Sequence, residues 1–221
     1  MIDLKNINII RSDRRSISVH IEPDGEVVVK APKRIADRNI KQFISEHSDW
    51  IEKHLSIVRS RLQKNQIAED EYLFLGKTLK LKEDNIQTIK MEGDFIFFPK
   101  ALVFRKEKEL KSWYIKQAEK IIPKQIDLYA ARMKTNYRSV LFSDTRSKWG
   151  SCSHDNRLQF SWRLVMAPLL VINYVVIHEL SHTMEKNHTQ MFWMKVRSQN
   201  PSYKQQIKWL KEYGVLMHRI F

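Results

Sequence analysis

Cysteine is nearly absent from this chain: among 221 residues only Cys152 is one. No internal disulfide can form, and no C-x-x-C pair offers a thiolate metal site, so a reducing compartment fits best. Long hydrophobic runs are missing as well. The longest, residues 164–177, is interrupted by Pro168 and Asn173 and falls short of the roughly 20 residues that a bilayer span takes. The opening MIDLKNINIIRSDRR holds no apolar stretch of signal-peptide length. Internal repeats, low-complexity tracts and a Gly-rich phosphate loop are also lacking. The expectation is a soluble, cytoplasmic protein with no membrane partner.

Two things are plentiful, apolar mass and positive charge. Hydrophobic residues make up 43% of the chain, enough for a real core, which excludes wholesale disorder. The formal charge is +14. Such a surface attracts nucleic acid, nucleotides or acidic substrates, and the plain alternative is solvation with no dedicated partner. Its cations include Lys106, Lys108, Lys111, Lys116, Lys120 and Lys124, which lack the regular aromatic interleaving of a stacking platform.

The periodicity points to an α+β protein. Residues 16–21 and 26–31 alternate around Pro23-Asp24-Gly25 and predict a β-hairpin. From Pro32 to about Gln63 the spacing of Ile40, Phe43, Ile44, His47, Trp50, Ile51 and Leu55 predicts a basic helix. Short strands are expected at 72–75, 78–81, 88–91 and 95–98, then a long helix over 106–134 that bends near Pro123. Strands at 139–143 and 158–161 flank a loop carrying Trp149-Gly150-Ser151-Cys152. Pro168 opens a helix where its missing N–H is harmless, and two more helices are expected near 190–197 and 202–213. We divide the chain into residues 1–104, an N-terminal α+β region with the basic helix, and residues 105–221, a hydrolase domain. The aromatics Phe192, Trp193, Tyr203 and Trp209 read as core.

The chemistry sits in His178-Glu179-Leu180-Ser181-His182, an H-E-x-x-H motif. Residues four apart share a helix face, so both imidazoles can reach one ion. Imidazole nitrogen suits Zn²⁺, and a catalytic zinc keeps its fourth position for water, whose pKa falls to about 7. Glu179 is then the residue placed to take and return that water's proton. Random order of this composition produces the pentapeptide with a probability of roughly 2%, and below about 0.1% when a histidine must also follow six residues later. His188 meets that requirement. Residues 169–177 are almost wholly apolar, as a buried active-site helix should be. One further ligand completes the set. His188 leads, and Glu185 and Glu212 are the competing carboxylates.

Residues 146–193 also resemble the YgjP-like metallopeptidase family, related to the SprT-like and WLM zinc peptidases. The matching pieces are Trp149-Gly150-Ser151-Cys152, Trp162-Arg163-Leu164, Ala167-Pro168, Tyr174 through His182, Asn187-His188 and Phe192-Trp193. Fainter similarity runs through Arg14-Arg15-Ser16, Val29-Lys30-Ala31-Pro32 and Leu75-Gly76. The resemblance implies a zincin-like domain, His178, His182 and His188 as ligands of one metal ion, and a metal-dependent hydrolase, usually a peptidase. In better-known H-E-x-x-H-x-x-G-x-x-H peptidases a glycine turns the chain towards the third ligand. Glu185 stands there in this chain, and Asn187, which tolerates left-handed backbone, is the expected turning residue.

Around the motif, the expected strand 158–161 and the loop 146–153 before it are candidates for the edge that zincins use to pair with extended peptide. Arg146 is a candidate oxyanion stabiliser or a surface salt-bridge partner. Trp149 and His154 are candidate substrate contacts, with packing the simpler role for Trp149. Cys152 has no activating pattern and reads as structural. The leading function is peptide-bond hydrolysis on a protein or peptide substrate with zinc as cofactor. Mn²⁺, Co²⁺ and Ni²⁺ remain open as the ion. The rivals are hydrolysis of a nucleotide phosphoanhydride and a nucleic-acid-associated protein in which hydrolysis is secondary.

Overall fold

The computed structural model describes residues 7–22, 25–64, 68 and 70–219. Contacts divide the chain into two compact units, Met1–Gln66 and Ile67–Phe221.

In the first unit, β1 (Ile7–Ser12), β2 (Ser18–Ile21) and β3 (Val27–Pro32) form a sheet of order β1-β3-β2, followed by α1 (Asp37–Glu46) and α2 (Ser48–Lys64). The expected hairpin is β2–β3, antiparallel with Val19 opposite Val29. Its turn falls partly on Pro23 and Asp24, outside the described residues. β1 was not legible, because its exposed Ile9 and Ile10 are adjacent and break the alternation that marks a half-buried strand. It pairs parallel to β3, whose Val27, Val29 and Ala31 form a core with Ile40, Ile44, Ile51 and Leu55. The single basic helix expected here is two helices. His47 leaves helical geometry (φ −108°, ψ 12°), and its amide donates back to the Phe43 and Ile44 carbonyls, closing α1.

The second unit opens with β4 (Glu71–Phe74), β5 (Lys77–Asp84), β6 (Lys90–Glu92) and β7 (Phe95–Pro99), ordered β4-β5-β7-β6. A 3-10 turn (Lys100–Arg105) leads into α3 (Lys106–Met133), which continues through Pro123 as one helix. The apolar residues Leu110, Tyr114, Ala118, Ile122 and Ile126 recur every fourth position and are wholly buried. This stripe packs α3 on α4 (Leu169–Ser181) and on a second 3-10 turn, Trp162–Met166. Then β8 (Ser139–Ser143), β9 (Gly150–Cys152) and β10 (Arg157–Ser161) form a sheet of order β8-β10-β9, and α5 (Gln190–Gln199) and α6 (Tyr203–Arg219) complete the unit.

The contacts divide the chain at 66/67, in place of the expected 104/105. The β4–β5 hairpin is bonded into the second unit: Leu75 and Gly76 amides donate to the Val165 and Met166 carbonyls, and the Tyr114 hydroxyl donates to the Leu73 carbonyl. Leu75 (φ 49°) and Gly76 (φ 79°) are both left-handed, the conformation of a two-residue hairpin turn. Gly76 also lies so close to Pro168 that a Cβ would stand 2.5 Å from its Cγ. The turn therefore presses on the residue that opens α4. Among the described residues no helix is long and apolar enough to cross a membrane.

Candidate metal centre

α4 is apolar on nearly all sides, so it is buried and not amphipathic. Val171, Ile172, Val175, Val176, Ile177 and Leu180 are all under 5% exposed, and each such side chain contributes about 1.5–3 kcal/mol by leaving water. This is the rigid base on which His178 and Glu179 stand. The helix ends at Ser181 with His182 as its C-cap.

The chain then turns back without any left-handed residue. The Thr183 and Met184 amides donate to the Leu180 and Ser181 carbonyls, a tightened last turn that swings residues 185–188 round. Asn187 was expected to make the turn in left-handed geometry. The positive-φ non-glycine residues described are Leu75, Lys134 and Asn156, so it does not.

This turn brings His188 to His178, with their Nε2 atoms 3.1 Å apart. One ring nitrogen from each of His178, His182 and His188 lies within 4.8 Å of the others. Neither Glu185 nor Glu212 joins the cluster. Two nitrogens bound to a tetrahedral zinc at about 2.0–2.1 Å stand about 3.3 Å apart, so the His178–His188 spacing fits a shared ion. The ring states fit too. Burial, then the charges of His182 and His188, push His178 down to about 3, and burial pushes His182 down. Both shifts favour the neutral ring, the form that ligates. His182 Nδ1 lies 3.1 Å from the Glu185 carbonyl, which accepts a hydrogen bond from Nδ1–H and leaves Nε2 free for a metal. Phe192 forms the floor of the cluster. It is fully buried, with its ring centroid 4.9, 4.4 and 4.7 Å from those of His178, His182 and His188.

Glu179 is 5% exposed. Burial pushes its carboxyl up to about 8, against the pull of the Lys148 ammonium; a cation held by the histidines would draw it down again. It is walled by Gly150, the first residue of β9. A Cβ there would meet Glu179 Cγ at 2.7 Å, Oε1 at 2.8 Å and Cδ at 3.0 Å. Only a residue without a side chain lets the strand lie against this carboxylate.

The expected cleft strand, 158–161, corresponds to β10, which is paired on both edges, parallel to β8 and antiparallel to β9. It has no edge left for a peptide. β9, read from the sequence as loop, is the outer strand beside Glu179. The segment leading into β9 is anchored by Asp144, which accepts hydrogen bonds from Trp162 Nε1 (3.0 Å), Lys111 Nζ (2.7 Å) and the buried Arg163 guanidinium. Partial burial raises the Asp144 carboxyl, but these donors outweigh it and hold it at about 2.

The peripheral candidates disperse. Trp149 stacks on His218 of α6 (4.6 Å) and abuts Gly214, which is packing. Arg146 is exposed on the segment before β9, and His154 is exposed in the β9–β10 turn, outside the histidine cluster. Cys152 is half-buried, and burial pushes its thiol up, the reverse of an activated nucleophile. Of the aromatics read as core, only Phe192 is fully buried. Trp193 and Tyr203 are half-buried and stack at 5.3 Å, with the Trp193 ring 5.7 Å from that of His188. Sequence reasoning also missed Asp144 as an anchor and Lys186, which is bonded to the β9–β10 turn.

A family model described as YgjP-like, metallopeptidase domain, matches residues 15–213. A search among curated proteins gave no match. The crystal structure of the metallopeptidase zymogen of Methanocaldococcus jannaschii jannalysin is similar over 39% of this chain and 93% of its own, at 17% identity and a TM-score of 0.34. A likeness that slight supports no argument about fold or chemistry.

Proposed function

The chain belongs to the YgjP-like metallopeptidase domain family, and from that premise we propose that it is a zinc-dependent peptidase with a zincin-like catalytic segment. His178, His182 and His188 hold the metal and Glu179 is the general base. The observation that carries this reading is the convergence of three imidazoles beside a buried carboxylate. Zinc held there supplies Lewis acidity, polarising a carbonyl and lowering the pKa of water to near 7. By donor type the site also accepts Mn²⁺, Co²⁺ or Ni²⁺, and metal analysis of the protein as purified identifies the ion.

The chain's own residues do the rest. Glu179 takes the proton of the attacking water and delivers it to the leaving amine, a transfer worth about 10²–10⁴-fold. Its burial and the Gly150 wall restrict where its oxygens can sit. The outer edge of β9 accepts an extended peptide as an added strand, which brings its backbone past the carboxylate. Phe192 keeps water from beneath the imidazoles. The family match favours a peptide over a phosphoanhydride substrate, and no phosphate loop stands near the site in sequence.

A parallel screen of the purified metal-loaded protein against unfolded proteins, peptides and nucleotides tests the reading. We expect peptide cleavage, lost in Glu179→Gln with metal content unchanged. Near-normal turnover by that variant, or hydrolysis of nucleotides alone, overturns it.

A further inference from the structure

The loop between the second and third histidines carries a cation whose bonds all leave the loop. Lys186 Nζ donates to the Ser153 carbonyl (3.0 Å), to Asn156 Oδ1 (2.6 Å) and, longer, to Cys152 Sγ (3.9 Å). All three acceptors lie at the end of β9 and in the turn joining it to β10. That turn has a defined shape of its own. Asn156 is left-handed (φ 61°), the Asn156 amide donates to the Ser153 carbonyl, and Ser153 Oγ donates to Asp155. The strand's other end is Gly150, in contact with Glu179. The short β9 is thus tied to the catalytic helix at the general base and to the His188 loop at Lys186.

The His188 loop needs such a tie. His188 is exposed, and it follows residues 182–187, none of which lies in a helix or strand. His178 and His182 are oriented by α4 and its cap, whereas His188 is reached through a segment that belongs to no helix or strand. A ligand on a segment of this kind must be ordered when the ion binds, and that ordering weakens affinity unless the loop is already held.

We infer that Lys186 is a positioning residue that holds the third-ligand loop against the β9–β10 turn, so that metal affinity and peptide binding on β9 are coupled. The inference rests on the reading of the three histidines as ligands. Coupling between two sites is reciprocal: a peptide that orders β9 tightens the metal, and the metal tightens the peptide.

The test measures zinc affinity of the full chain by competition with a chromophoric chelator, alongside thermal melting of the metal-free protein. Lys186→Met should weaken zinc binding about tenfold, the low end for loss of an outer-sphere partner, with the metal-free melting temperature unchanged. Lys186→Arg should recover most of the affinity, since it keeps charge and donors. Asn156→Gly removes the shortest acceptor while suiting the left-handed backbone. It should weaken zinc in the same way, and the double variant should be no weaker than the worse single one. Asn156→Gly keeps the test decisive if Lys186→Met folds poorly. Wild-type protein that binds one zinc, with both single variants equal to it, overturns the role of Lys186 and leaves the ligand assignment standing. Wild-type protein that binds no zinc overturns the ligand assignment, and the Lys186 proposal falls with it.

Discussion

Gly150→Ala is the substitution that asks most of this site, because one added methyl group lands on Glu179, the proposed general base. The new Cβ would stand 2.7 Å from Glu179 Cγ, 2.8 Å from Oε1 and 3.0 Å from Cδ. Comfortable contact lies at about 3.5–4.0 Å, so something must move by roughly 0.5–1 Å. Gly150 is not among the positive-φ glycines, so alanine suits its backbone and the whole cost arises from the contact. α4 is locked in the core, which leaves Glu179 to change rotamer or β9 to lift away from it. A misplacement of about 1 Å at a catalytic group costs on the order of 10²-fold in rate, and overpacking a filled site costs about 1–3 kcal/mol of stability. We expect kcat on a cleavable peptide to fall by about 10²-fold, with one metal ion per chain retained, since the three atoms nearest the added methyl group all belong to Glu179. Steady-state kinetics with metal analysis on the same preparation measures this. Lifting of β9 would show as a raised KM, and displacement of Glu179 as a lowered kcat. A variant within twofold of the parent in both parameters refutes the argument that Gly150 is small in order to seat this carboxylate.

Two further outcomes follow from the same geometry. His188→Ala should lose metal and activity together, whereas Glu185→Ala and Glu212→Ala keep stoichiometric metal, because among the described residues it is the three histidines that converge; full occupancy in His188→Ala with loss in either glutamate variant reverses the assignment. Asp144 should make stability fall in acid. Its carboxyl lies at about 2 in the folded chain against an ordinary value of 3.8, so its contribution is complete above about pH 4 and is lost as pH drops towards 2. Urea midpoints from pH 5 to 2 should fall more steeply for the parent than for Asp144→Asn, and parallel curves would rule the anchor out.

Much of this molecule is readable from local order. Helices and strands of the second unit announce themselves by period, as in the four-residue recurrence of Leu110, Tyr114, Ala118, Ile122 and Ile126 along α3. The His178-Glu179-Leu180-Ser181-His182 spacing is a statement about one helical turn, and it survives because α4 is helical through Ser181. Where local order misleads, a neighbour distant in sequence has decided. β1 exists because β3 offers it a parallel partner, not because Ile9 and Ile10 alternate. β9 looks like loop because three residues carry too little pattern, and it is a strand because β10 supplies its bonds. β10 had the better strand pattern but lost the edge role by being paired on both sides.

The sequence by itself determined the candidate metal-binding motif, the buried helix that bears it and the candidacy of His188, since each depends on spacing along one stretch of chain. The tertiary structure alone decided how His188 reaches His178, through a right-handed turn in place of the expected left-handed Asn187. It decided that Gly150 seats the carboxylate, that Asp144 anchors the approach to β9 and that Lys186 spans from one loop to another. The physical reason is common to all of these. Helical and strand periods report which side of an element leaves water, whereas contacts between segments depend on where the whole chain has been packed.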